Sequence, residues 1–465
     1  MTDSQNKKTV GFVFFEENFW KHYVNSEVLS DLNEAFDLKI FLSDKINYAM
    51  TYATVLNCEK YSSNPRNNKK YQLLNDHLAW INRNKSTSIA YRRFRKNGFI
   101  FPDFYNKSQS KIKTCVQLFR RIGWWIFRLC RFVLTNEFVS RTYLLWLTKN
   151  ISQNSSLKQL LVASNLEVIV CPVSVHDNDA FDLLSITEEL NIKTLFIADN
   201  WDNVSSKTVY WKKPSYIAVW GEQSKEHAIR IQNFKSDQVF VLGSARHSTF
   251  FKYRLQKLDS PFPFPYILFC GTALSFDEEK YLEFMDHILD ANHKLFGDTK
   301  IVYRPHPNRQ HRKIPLHKIL PSRVILDPRT LRNQRITPNL KNIQISDSYE
   351  TALLSNSRLV VGGFTSMIIE ASILFKHFLA LAIEEKGSFS SPHLVLKNYE
   401  HLQGLHGLQT LQIAKTFREF EEKLICLIRD TPQIDRETAD NERNFFLFNN
   451  DESFSARLVN CLENL

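Results

Sequence analysis

Short apolar runs rich in β-branched and aromatic residues recur along most of the chain, separated by stretches of helical character. That alternation restricts the fold more than any other feature, because it is the pattern of parallel sheets covered by helices. The runs of the first half are 9–15, 38–43, 166–173, 193–199, 216–221 and 238–244. "LDSPFPFPYILFC" then sets three prolines within five residues, which neither a helix nor a sheet interior accepts. Beyond it the alternation restarts at 266–271, 300–304, 323–327, 342–346, 358–363 and 377–382. The expected fold class is α/β, with two tandem Rossmann-like domains. The first is expected over 1–255, interrupted at about 45–150 by a basic, helical insertion, and the second over 262–417. Residues 418–465 read as helices that could cross back to the first domain.

Length and an apolar fraction of 43% allow two or three domains with real cores. The start "MTDSQNKKTVGFVFF" lacks the order of a signal peptide, and no apolar run is long enough to span a bilayer, so a cytoplasmic location is expected. Seven scattered cysteines, none in C-x-x-C spacing, argue against a disulfide framework or a zinc site.

The net charge of +11 is concentrated. Residues 60–131 hold 17 Lys and Arg against two acids, Asp76 and Asp103, so the rest of the chain is slightly acidic. Within "CVQLFRRIGWWIFRLCRFV", a helical wheel gathers Arg120, Arg121, Arg128 and Arg131 into an arc of roughly 100°, opposite Leu118, Phe119, Ile122, Ile126, Leu129 and Val133. Trp125 and Phe132 fall at the border. Such a helix suits the headgroup region of an anionic membrane, so 115–133 is expected to hold the protein to the inner face of the cytoplasmic membrane; a helix packed on its own domain is the plainer alternative. No nucleic-acid-binding motif accompanies the basic segment, and nucleic acid is not an expected partner.

The residues suited to chemistry follow strands, and two doubly wound domains are expected to bind ligands in a cleft at the carboxyl ends of those strands. In "RLVVGGFTSMIIEASILF", Gly362 and Gly363 permit a tight turn, Thr365 or Ser366 caps a helix, and that helix carries Glu370. A helix start of this kind favours phosphate, although an ordinary capped helix reads the same way. Gly271 ends the run 266–271 and Thr272 follows it, "YRPHPNR" puts Arg304 and His306 at the end of the run 300–304, and Ser346 and Ser348 stand at the end of the run 342–346 and just after it.

The order "RPHP", then "NIQISDSYETALLSNSRLVVGGFTSMIIEA", resembles the C-terminal half of GT-B-fold glycosyltransferases that build bacterial surface polysaccharides, with the related glycerophosphate, polysialyltransferase-like and Kdo-transferase-like groups. "FIADNWDNVSSKTVYWKKPSYIAVWGEQSKEHAIRIQNFKSDQVFVLGSARHSTFF" is similar to a Trp-Asp-Asn segment of the same superfamily, and the likeness covers roughly 160–385. Phe375-Lys376-His377 departs from the usual Gly-Lys-Pro. The resemblance implies a nucleotide-sugar donor and a glycan or lipid-linked acceptor, with no other cofactor. Arg304 would grip the diphosphate, helped by the helix start at Thr365 and Ser366, and Glu370 would accept both hydroxyls of a ribose, unless it is merely paired with a lysine. His306 could contact phosphate or brace its loop.

The first domain should supply the acceptor site and a general base. Asp202, with Asn203 and Lys207 beside it, and the pair His176 and Asp177 are the candidates, and the residues leave the choice open. Asn200 to Asn203 could equally form a polar turn. Asp177-Asn178-Asp179 has D-x-D spacing, but one such match arises readily by chance, and no metal is expected. The competing readings are a nucleotide-sugar 2-epimerase, a CDP-glycerol-type polyol-phosphate transferase and a non-catalytic membrane adaptor.

Overall fold

The structure is a computed structural model that describes residues 7–24, 26–47, 58–63, 68–96, 126, 129–130, 132–149, 151, 153–174, 178–273, 276–306, 320–329, 348–385 and 391–465. The chain divides into two compact units, 1–245 with 448–465, and 246–447.

In the first unit, β1 (Thr9–Phe14), β2 (Asp37–Ser43), β3 (Cys58–Tyr61), β4 (Val168–Val173), β5 (Lys193–Ala198), β6 (Tyr216–Val219) and β7 (Val239–Val241) form one sheet in the order β3-β2-β1-β4-β5-β6-β7. Every pairing is parallel. Both faces are covered, which is why β4 reads as an unbroken apolar run. Pro172 is tolerated there because β1 pairs only as far as Val170. One face packs against the Glu17–Val24 and Val28–Ala35 helices and against Phe454, Leu458 and Leu462 of the Phe454–Glu463 helix. The opposite face packs against Leu157 and Leu161, Leu183 and Ile186, and Ala228.

Two features differ from the sequence reading. The segment 45–150 is not wholly an insertion, because Cys58–Tyr61 is one of the two edge strands of the sheet. Charged residues at 59 and 60 hid it, as edge strands often do. The helices beyond, Asn68–Ile81 and Glu137–Thr148, build a small core of Tyr71, Leu74, Leu78, Leu144 and Leu147 against Phe181. The change of unit falls at Ala245 and Arg246, ahead of the prolines, so the Ser248–Tyr253 helix belongs to the second unit. The returning chain passes Gly243 (φ +80°), where a Cβ would stand 2.5 Å from the Phe448 carbonyl oxygen.

The second unit repeats the plan with β8 (Tyr266–Cys270), β9 (Lys300–Arg304), β10 (Val324–Leu326), β11 (Val360–Gly362), β12 (Phe378–Leu381) and β13 (Leu411–Ala414). Their order is β10-β9-β8-β11-β12-β13, again all parallel. The sequence reading lacked β13, and the expected strand 342–346 lies outside the described residues. The Phe417–Asp430 helix closes one face through Phe420, Leu424 and Leu427. Phe375, where the resemblance leads one to expect glycine, adopts a left-handed φ of 52° just past the Met367–Ile373 helix, while the Lys376 N–H returns to the Ala371 carbonyl. The guanidinium carbons of Arg254 and Arg436 lie 5.7 and 5.4 Å from its ring centroid, giving the strained position cation–π contacts that glycine could not make. Among the described residues no helix is long and apolar enough to cross a membrane.

Candidate functional site

Each sheet reverses its strand order once, between β1 and β4 in the first and between β8 and β11 in the second. In open parallel sheets ligands bind outside the carboxyl ends of the strands at such a reversal.

At the second reversal the glycines have a steric purpose. A Cβ on Gly362 would lie 2.3 Å from the Cys270 carbonyl oxygen, and one on Gly363 would lie 2.7 Å from Thr272 Cγ2. A Cβ on Gly271 would fall 2.9 Å from the His306 nitrogen. Close approach of three strand ends therefore requires glycine at these positions. The same packing engages the backbone N–H groups of two candidate residues: that of Gly271 donates to the Arg304 carbonyl, and that of Thr272 to Glu278 Oε1 at 3.1 Å.

Ser366 does not cap the Met367–Ile373 helix. Its hydroxyl instead accepts from Arg246 Nη2 at 3.0 Å, and the same nitrogen donates to Glu370 Oε1 at 2.7 Å. His247 Nε2 lies 3.7 Å from that carboxylate. Glu370 is buried, which by itself would raise its pKa, but Arg246, with His247 and Arg304, outweighs the burial and holds it at about 2. Its partner is thus an arginine from the junction of the units, and neither Arg246 nor His247 was singled out from sequence. Thr365 is half-buried beside this group.

Arg304 sits at the end of β9, paired with Glu350 and 3.8 Å from Asp327 Oδ2. Glu350 also takes Arg329, and Tyr349 donates to Asp327 at 2.7 Å. Burial would raise the Glu350 pKa, yet Arg304 and Arg329 lower it. The Arg304 Nη1 is buried with no hydrogen-bond partner among the described residues. Ser346 lies outside the described residues.

In the first unit Asp202 Oδ2 accepts from Ser206 Oγ at 2.9 Å and Arg92 Nη1 at 3.3 Å. Asn203 is fully buried and donates to the Val173 carbonyl, which makes it a brace between strand ends. Lys207 Nζ donates to Ser174 Oγ at 3.0 Å, and burial lowers its pKa despite Asp202 nearby. His176 and Asp177 lie outside the described residues. Asp179 accepts from Lys45 Nζ at 3.0 Å, and among the described residues no group of three or more His, Cys, Asp and Glu could hold a metal.

The sequence reading missed a pair. His22, on the helix after β1, places Nδ1 3.0 Å from Asp199 Oδ1, just past β5. Asp199 is buried, and the imidazole keeps a quarter of its side-chain surface open. A carboxylate on Nδ1 fixes the tautomer that leaves Nε2 as a base. The only sequence signal was an Asp ending an apolar run, and its partner lies 177 positions earlier.

No protein-family model and no curated protein matches the sequence. Solved structures do resemble it. A candidate UDP-N-acetylglucosamine 2-epimerase from Listeria monocytogenes has TM-score 0.51 at 12% identity, covering 98% of this chain and 96% of its own. The UDP-GlcNAc 2-epimerase from Neisseria meningitidis bound to UDP-GlcNAc gives 0.48 at 14%, covering 98% and 100%. The glycotransferase of kitacinnamycin gives 0.48 at 10%, covering 98% and 99%. With its two parallel, once-reversed sheets, the chain has two Rossmann-like domains of the GT-B fold.

Proposed function

We propose that this protein is a nucleotide-sugar enzyme, specifically a metal-independent glycosyltransferase that moves a sugar from a nucleotide donor to a surface polysaccharide or lipid-linked acceptor. The His22–Asp199 pair carries the reading. A base oriented by a buried carboxylate is what removal of a proton from an acceptor hydroxyl needs. In that step the hydroxyl oxygen bonds to the anomeric carbon, the bond from that carbon to the donor phosphate oxygen breaks, and the proton passes to His22 Nε2. The nucleoside diphosphate leaves. In the second unit Arg304, whose Nη1 has no hydrogen-bond partner among the described residues, is the proposed phosphate contact, with Thr272, His306, Thr365 and Ser366 around the nucleotide. Glu370 is assigned to the ribose, which it can bind only by sharing its carboxylate with Arg246. Asp202 and Lys207 border the acceptor.

The Listeria neighbour's name supports a second reading, a nucleotide-sugar 2-epimerase. Incubation with a panel of nucleotide sugars and CDP-glycerol in deuterated water separates the possibilities. Release of nucleoside diphosphate that depends on an added glycan acceptor supports the transferase. Deuterium at C2 of the sugar with no acceptor present supports the epimerase, and turnover of CDP-glycerol the polyol-phosphate transferase. If no compound is turned over or raises the melting temperature, the enzyme reading fails and the adaptor remains.

A further inference from the structure

The Glu137–Thr148 helix has two opposed apolar faces. Ser140, Leu144 and Leu147 turn inward, the two leucines packing with Tyr71, Leu74, Leu78 and Phe181. On the other side Phe138, Leu145 and Trp146 are 79%, 58% and 59% exposed. At about 100° per residue, Phe138, Arg141, Thr142, Leu145 and Lys149 share an arc of about 100°, with Trp146 at its border. The helical residues Leu129, Phe132 and Val133 just before it are exposed too.

Local contacts support this face. Asn136 caps the helix by accepting from the backbone N–H groups of Phe138 and Val139, which anchors the chain where Phe138 leaves it. The Trp146 ring stacks on Tyr143 at 5.8 Å, and Tyr143 meets His77 edge-on at 4.9 Å. Single exposed apolar residues are ordinary, but a cluster of large ones on one preformed face marks an interaction surface.

Charge decides the occupant. Arg141 and Lys149 lie within the arc, the helix has one acid, Glu137, in its first turn, and residues 60–131 hold 17 Lys and Arg against two acids. Large apolar side chains flanked by Arg and Lys, with a tryptophan at the border, match an acyl and headgroup boundary bearing negative phosphates. We propose that the Phe138–Leu145–Trp146 face docks on an anionic lipid surface. The expectation from sequence put lipid contact at 115–133, of which only a few residues are described; the structure puts a preformed apolar face on the following helix. Docking holds whichever reaction the chain catalyses.

The test is sedimentation of the full chain with vesicles of phosphatidylcholine alone or mixed with phosphatidylglycerol. The protein should pellet with the mixed vesicles only. Phe138→Ser with Leu145→Ser should weaken that binding at least about tenfold, because two large side chains no longer enter the boundary. Arg141→Glu with Lys149→Glu changes only exposed charges and should weaken binding similarly, covering the case in which the serine variant folds poorly. Equal binding to both vesicle types overturns the proposal, as does undiminished binding by either variant with a wild-type melting temperature. Light scattering that shows a wild-type dimer and a monomeric serine variant would assign the face to a second copy and refute lipid docking.

Discussion

Arg246→Ala removes the partner of a buried carboxylate. Glu370 is held at about 2, against 4.5 for a free glutamate. At 1.36 kcal/mol per unit, that difference corresponds to about 3 kcal/mol of stability. Deleting one partner of a buried ion pair costs about 3 to 5 kcal/mol, so the two estimates agree. For a unit spanning 246–447, such a loss lowers the melting temperature by about 6 to 12 °C. The sign with pH follows from the depressed pKa. The contribution is fully present above pH 4.5 and is lost as pH falls from there toward about 2. The gap between wild type and Arg246→Ala should therefore be widest at neutral pH and shrink by more than half near pH 3. Calorimetric melts of both proteins at neutral and acid pH measure this. A variant within about 2 °C of wild type at neutral pH, or a gap that stays constant on acidification, would refute the idea that Arg246 neutralises Glu370.

His22→Ala should lower kcat by about 10² to 10⁴ with donor affinity unchanged, and Asp199→Asn should lower it less. Unaltered turnover in both would remove the pair from catalysis. Gly362→Ala forces a Cβ to 2.3 Å from the Cys270 carbonyl oxygen, so β8 and β11 must separate, at a cost of about 2 kcal/mol or more read as a lowered melting temperature. Arg304→Ala should abolish most turnover and also melt lower, because Asp327 and part of Glu350 lose their counter-charge. Arg304→Lys keeps the charge and should recover stability but little activity, since the ammonium cannot reproduce the fork; full activity in that variant would exclude a geometric role at phosphate.

The sequence was most legible where burial is two-sided. β4, β8 and β11 are apolar throughout because both faces of each sheet are covered, and runs of that kind show in the linear pattern. The edge strand β3 was invisible because only its last residue is buried, and β13 because its middle residues are half-buried. At the candidate site the loops could be named, since ligand-facing residues follow strands, but their partners could not. Ser366 read as a helix cap and turned out to bind Arg246, and Asn203 read as a substrate contact and is a buried brace.

By itself, the order of residues determined the α/β class, the repetition of one doubly wound plan on either side of a proline break, and the strand ends that carry polar groups. All of these depend on local periodicity and turn chemistry, which the chain states in order. Only the tertiary structure decided which charges meet. His22 reaches Asp199 because β1 lies two strands from β5, and Arg246 reaches Glu370 from 124 positions away. A carboxylate's role is set by what stands within a few ångströms of it, and strand order rather than sequence distance fixes that neighbour.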